Sequence, residues 1–131
     1  MTRGNRLAGT VLMFAAALSC SSDPDDGRCQ EQLTFTITAG ITPTFSWAPE
    51  CGVAQLRVTR DEDDAEIWAF VASSNSVTGP VTYGQAPAGT TVTNPHETLT
   101  FDDAYTVRVA VLDPDTGLLI VAGTAGFTPA L

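Results

Sequence analysis

Few side chains in this sequence could do chemistry. They are three cysteines (Cys20, Cys29 and Cys51), one histidine (His96), and the acidic run Asp61-Glu62-Asp63-Asp64-Ala65-Glu66. Two of the thiols with a distant imidazole make a poor zinc set, because a structural site takes four closely arranged ligands. His96 lies in Asn94-Pro95-His96-Glu97, a segment that reads as an exposed loop. A hydrolytic triad needs a nucleophile, a base and an orienting acid that meet in space. No serine here stands in a Gly-x-Ser-x-Gly elbow. Hard cations take six to eight oxygen ligands, so the acidic run could bind calcium. Adjacent residues of a tight hairpin point in divergent directions, however, and the spacing matches no calcium loop. A solvated turn is the simpler reading, there and at Asp113-Pro114-Asp115-Thr116-Gly117, where Asp and Gly supply turn geometry. Gly84, Gly89, Gly123 and Gly126 are too scattered to cradle a phosphate and read as turns and bulges. Carboxylate pairs for glycoside hydrolysis are not removed by counting, but a domain this small offers no obvious cleft for them. The expectation is a protein with no catalytic residues, no metal site and no cofactor.

Composition narrows the partners. The chain has 131 residues, 44% of them apolar, which suits one domain with one core. It has 15 acidic residues and 6 basic ones, all of the latter arginine. Arg3 and Arg6 fall in the first 19 residues, and without that segment four Arg face fifteen Asp and Glu, a net charge of −11. Nucleic-acid surfaces need clustered Lys and Arg, so nucleic acid is not expected as a partner. The same balance argues against an electrostatic grip on anionic lipid.

The first residues read as an address. Arg3 and Arg6 form a short basic region, and Leu7 to Leu18 is a mostly apolar run of twelve. Ser19-Cys20 follows, and then the polar Ser21-Ser22-Asp23-Pro24-Asp25-Asp26-Gly27. Crossing a bilayer takes roughly 20 apolar residues. The run is too short for that and reads as a signal-peptide helix over 1–19.

Ala17-Leu18-Ser19-Cys20 resembles the lipobox of bacterial lipoproteins, in which cleavage falls just before a diacylated cysteine. Ser19 and Cys20 match that pattern; Ala17 and Leu18 depart from it, since the family usually has Leu and then a smaller residue there. The resemblance implies lipid attachment at Cys20 and a membrane anchor, each buried methylene adding about 0.8 kcal/mol. Ser21 in place of Asp implies no retention in an inner membrane and so favours an outer one. The other reading is an ordinary secretory signal with an incidental cysteine. If Cys20 carries lipid, Cys29 and Cys51 are left as a pair in an oxidising compartment, against the alternatives of two reduced thiols or a metal site. Segments 20–30 then form a lipidated acidic tether, and 31–131 the folded domain.

From Leu33 onward the apolar period is two. Leu33, Phe35 and Ile37 alternate with threonines, Phe45 and Trp47 with Thr44 and Ser46, Leu56 and Val58 with polar neighbours, and Tyr105, Val107, Val109 and Val111 with Thr106, Arg108 and Ala110. The 19 threonines suit half-buried strands. Ile67 to Ala72 and Leu118 to Ala122 are apolar on both faces, as central or neighbour-covered strands would be. Ser73 to Pro95 forms strands poorly. With turn signals between the runs and no helical stripe, the pattern predicts an all-β fold, a two-sheet β-sandwich of about seven strands.

Two patterns resemble fibronectin type III domains. In Phe45-Ser46-Trp47-Ala48-Pro49 a Trp precedes Pro by two positions, as in that family's second strand. In Leu99-Thr100-Phe101-Asp102-Asp103-Ala104-Tyr105 a Leu lies six residues before a Tyr that opens an alternating strand, as at the family's corner. There the Tyr hydroxyl would satisfy a backbone group near the bend while its ring fills the core. The resemblance spans about 33–128; a Cys29–Cys51 bridge and the long 73–95 connection depart from it. It implies a non-catalytic interaction or spacer module, met through loops or a sheet edge by an envelope protein. The alternative is a carbohydrate-binding module at the cell surface. That reading needs Trp68 and Phe70 to face outward as a platform for polysaccharide.

Overall fold

The computed structural model describes residues 27–30 and 32–131. The signal segment 1–19, Cys20 and the tether as far as 26 lie outside the described residues.

Eight strands form, and no helix among the described residues: β1 (Thr34–Ile37), β2 (Thr44–Ala48), β3 (Gln55–Arg60), β4 (Ala65–Ala72), β5 (Val81–Thr82), β6 (Thr90–Asn94), β7 (Tyr105–Leu112) and β8 (Leu119–Phe127). They make a β-sandwich of a three-stranded sheet, β1-β2-β5, and a five-stranded sheet, β6-β4-β3-β7-β8, with every pairing antiparallel. The count exceeds the expected seven because 73–95 carries two strands. β5 is only two residues long, and β6 has Val92 as its single apolar residue. Neither gives a periodic signal; both are held by backbone pairing to a neighbour.

The alternating runs supply the core. Phe45, Leu56, Val58, Val107 and Val109 are fully buried, each contributing about 1.5–3 kcal/mol of apolar burial. The double-faced run in β4 has a local cause. Pairing with β3 jumps from Val58↔Trp68 to Thr59↔Glu66, which leaves Ile67 as an extra residue. Such a bulge re-aims a side chain, so consecutive Ile67 and Trp68 both join the core.

The corner at β7 is built around Tyr105. Its ring is buried, stacks on Phe127 with centroids 5.6 Å apart, and its hydroxyl accepts a hydrogen bond from the Thr100 N–H at 2.9 Å. Leu99 is buried beside it. Tyr105→Phe keeps the ring and strands the Thr100 donor. Unfolding free energy from urea titration is expected to fall by about 0.5–1.5 kcal/mol, the net worth of one part-buried hydrogen bond. An unchanged midpoint would mean that the hydroxyl holds nothing at this bend.

Candidate functional site

Of the three cysteines, Cys20 lies outside the described residues. Cys29 and Cys51 form a disulfide with Cα atoms 4.9 Å apart. It sits where the chain ahead of β1 runs parallel to the connection after β2, with Arg28 bridged to Gly52. The Cys29 N–H donates to the Gly52 carbonyl at 2.9 Å, and the Gly52 N–H to the Gly27 carbonyl at 2.7 Å. Trp47, buried, donates its indole N–H to the Cys51 carbonyl at 2.9 Å.

Three of the five acids of 61–66 are engaged with other side chains or backbone groups of the domain. Asp63 takes a two-pronged contact from Arg60, at 3.1 and 3.0 Å, and this guanidinium, with the Ala65 N–H, holds the Asp63 carboxyl below the usual carboxylate range. Glu66 pairs with Arg57 across the sheet at 2.7 Å, and Asp61 accepts from the Thr106 hydroxyl at 2.7 Å. Among the described residues no three His, Cys, Asp or Glu side chains come together in a way that could hold a metal ion. His96 packs edge-on against Tyr83, centroids 5.7 Å apart. The Tyr83 hydroxyl donates to the Glu97 carbonyl, and burial pushes its phenol well above the ordinary value, with the charges of Tyr105 and Glu97 adding to the rise.

Trp68 and Phe70 do not face outward. Both are buried; they meet edge-on at 5.2 Å, and Trp68 meets Tyr83 the same way at 5.1 Å. Their register partners Val58 and Leu56 are core residues, so the pleat turns the two rings inward. The platform expected of a carbohydrate-binding module is therefore not formed by these rings.

The second double-faced run behaves in the opposite way. Leu119–Val121 opens β8, which among the described residues has β7 as its only strand neighbour, and Leu118, Leu119, Ile120 and Val121 are 66%, 41%, 49% and 55% exposed. Gly123 marks where cover from the other sheet ends. A side chain there would run into Phe35 and Leu33, at 2.9 and 3.1 Å from its Cβ, so β1 and its approach press directly on the β8 backbone. Toward Leu118 that cover stops. Between β8 and residues 28–33 lies a groove of about 550 Å³, walled by Arg28, Gln30 and Gln32 on one side and by Ile120, Val121 and Thr124 on the other. Arg28 Nε is buried in this wall with no hydrogen-bond partner among the described residues.

Natural edge strands are usually blunted by charge, Pro, bulges or shortness. β5 is two residues long, and β6 is followed at once by Pro95. β8 has a bulge, with Ala122 extra between the Val109↔Gly123 and Ala110↔Val121 pairs. It has no charge at all: none of the 16 residues from Thr116 to Leu131 is Asp, Glu, Lys or Arg, in a chain of net charge −9. Sequence reasoning missed this site because an apolar run does not say how many neighbours its strand has. Absence of charge would not have pointed to it either, since 32–49 and 67–96 are longer stretches without Asp, Glu, Lys or Arg. Compared with known proteins, the chain matches no family model, no curated protein and no solved structure.

Proposed function

We propose that this chain is an exported lipoprotein of the bacterial cell envelope, anchored to a membrane by lipid at Cys20. On this reading its one domain is a non-catalytic interaction module of fibronectin type III type, and the first half of β8 is its docking edge. The observation that carries the interaction role is the uncharged apolar quartet Leu118–Val121 on a free sheet edge, where an added strand gains main-chain hydrogen bonds and apolar contacts together. The fold assignment is supported by a strand order in which the first, second and fifth strands share one sheet and by the Tyr105–Thr100 corner. The lipoprotein assignment draws on the Ser19-Cys20 pattern and on cysteine arithmetic, since the Cys29–Cys51 disulfide leaves Cys20 as the odd thiol. An outer-membrane location and an envelope-protein partner follow from the same reading.

The anchor is tested by intact mass and N-terminal peptide analysis of the protein from its membrane fraction, beside Cys20→Ala. The expected mature chain begins at Cys20 with the added mass of two or three acyl chains, and the variant leaves the membrane fraction. Cleavage elsewhere with no lipid would overturn the anchored reading.

A further inference from the structure

We infer that the Asp113–Pro114 bond, in the turn between β7 and β8, is a self-cleavage site. In mild acid the chain divides there into a part ending at 113 and a peptide 114–131 that contains β8. The inference stands on this turn and needs neither the lipid anchor nor the docking edge.

The residue types set the chemistry. The usual backbone reaction of aspartate is attack by the amide nitrogen of the next residue on the side-chain carboxyl, which closes a succinimide and needs that residue's N–H. Pro114 has no N–H, so that route is shut. What is left is attack by the Asp113 carboxylate on the main-chain carbonyl carbon of its own residue, which closes a five-membered ring. Two groups held together in this way react as if each were at very high concentration.

The turn places the parts. The Asp113 N–H donates to the Leu118 carbonyl at 2.8 Å, which fixes the residue at the end of the β7–β8 pairing. Asp113 Oδ1 accepts from the Asp115 N–H at 2.9 Å. Asp115 lies beyond Pro114, so this bond folds the carboxylate forward over the Asp113–Pro114 peptide. The Asp113 carbonyl oxygen accepts from the Gly117 N–H at 2.8 Å, and a donor there stabilises the negative charge that attack puts on that oxygen. Gly117 has a φ of +74°, a conformation that glycine adopts without steric cost. The attacking group, the block on the competing route and a donor on the attacked carbonyl thus meet at one peptide unit. Ser73–Ser76, which line a groove with Leu112 and Pro114, have no charged side chain, and Asp115 is the other titratable group of the turn.

The step balances. A carboxylate oxygen of Asp113 bonds to the carbonyl carbon, and the bond from that carbon to the Pro114 nitrogen breaks. The nitrogen keeps the electron pair and takes a proton from the medium. Water then opens the cyclic anhydride, restoring the Asp113 side chain beside a new C-terminal carboxyl, so one peptide bond and one water give two chains. β8 keeps its register with β7 from Tyr105↔Phe127 to Leu112↔Leu119, so the cut leaves the peptide 114–131 seated in the sheet by pairing alone.

The test is the full-length chain held in the most acidic buffer in which far-UV circular dichroism still reports the fold, beside the same chain in that buffer with urea. Both are followed over time by intact mass under denaturing conditions. Asp23–Pro24 is a reference bond of the same residue types in the same chain. The expected products have masses that sum to the intact chain plus one water, with a new N-terminus at Pro114. In the folded chain they form about tenfold faster than products of scission at Asp23–Pro24, the rate equivalent of one hydrogen bond to the attacked carbonyl. In urea the two bonds are cut at equal rates. Pro114→Ala restores the N–H and is expected to stop scission after 113 while the fold is kept. Scission at Asp113–Pro114 no faster than at Asp23–Pro24, a preference that survives in urea, or cleavage that continues in Pro114→Ala overturns the proposal.

Discussion

Trp68→Ala is expected to lower the unfolding free energy by about 3–5 kcal/mol, the range for truncating a buried aromatic when its surroundings close only partly over the space. Trp68 is 1% exposed and wedged edge-on between Phe70 and Tyr83, so the loss also removes two aromatic contacts, each worth about 0.5–1.5 kcal/mol beyond burial. Urea titration followed by far-UV circular dichroism reads the change. A second reading comes from the unsubstituted protein, whose tryptophan fluorescence should not respond to polysaccharides, because Trp47 and Trp68 are both buried. A loss below about 0.5 kcal/mol, the size of an ordinary surface substitution, together with a saturable response to polysaccharide, would put Trp68 at the surface and restore the carbohydrate-binding reading.

The paired substitution Cys29→Ser with Cys51→Ser is expected to cost about 3 kcal/mol. Cross-linking residues 22 apart removes closure entropy from the unfolded chain by roughly that amount. Replacing both cysteines avoids leaving one thiol free to link two chains. The hydrogen bonds of Gly27 and Cys29 to Gly52 remain possible in the variant, so the folded state should keep its strand order while its denaturation midpoint falls. A midpoint unchanged by the double substitution, or by reduction of the native protein, would mean the two sulfurs are not joined in the isolated molecule.

What could be read from the sequence depended on how strand residues are buried. Leu33 to Ile37, Phe45 with Trp47, Leu56 with Val58, and Tyr105 to Val111 alternate because one face of each strand meets the other sheet, and each of these runs contains or adjoins a strand. Cys29 and Cys51 were legible by arithmetic once a role was assigned to Cys20. The two runs apolar on both faces were not separable by pattern. Ile67 to Ala72 is enclosed, with a bulge turning Ile67 inward, whereas Leu118 to Ala122 runs out along a free edge. The difference lies in which strands come to rest beside them, a long-range fact that no window of local residues contains. β5 and β6 were hidden for a related reason, because backbone pairing to β2 and β4 defines them more than side-chain pattern does. The candidate docking edge is therefore the region of the molecule least visible in its residues taken locally.

The disulfide also decides how the domain answers a pull. Tension arriving from the chain ahead of Gly27 reaches Cys29 before it reaches β1, crosses the sulfur bridge to Cys51, and enters at the connection leading into β3. β1 and β2 sit inside the closed loop and carry none of it. The Gly52 N–H and C=O, tied to Gly27 and Cys29, add a short parallel clasp at the point of entry. With the bridge intact, about 75 Å of chain between the two cysteines cannot be drawn out. With it reduced, the same pull meets the four residue pairs of β1 and β2 from one end and opens them in succession.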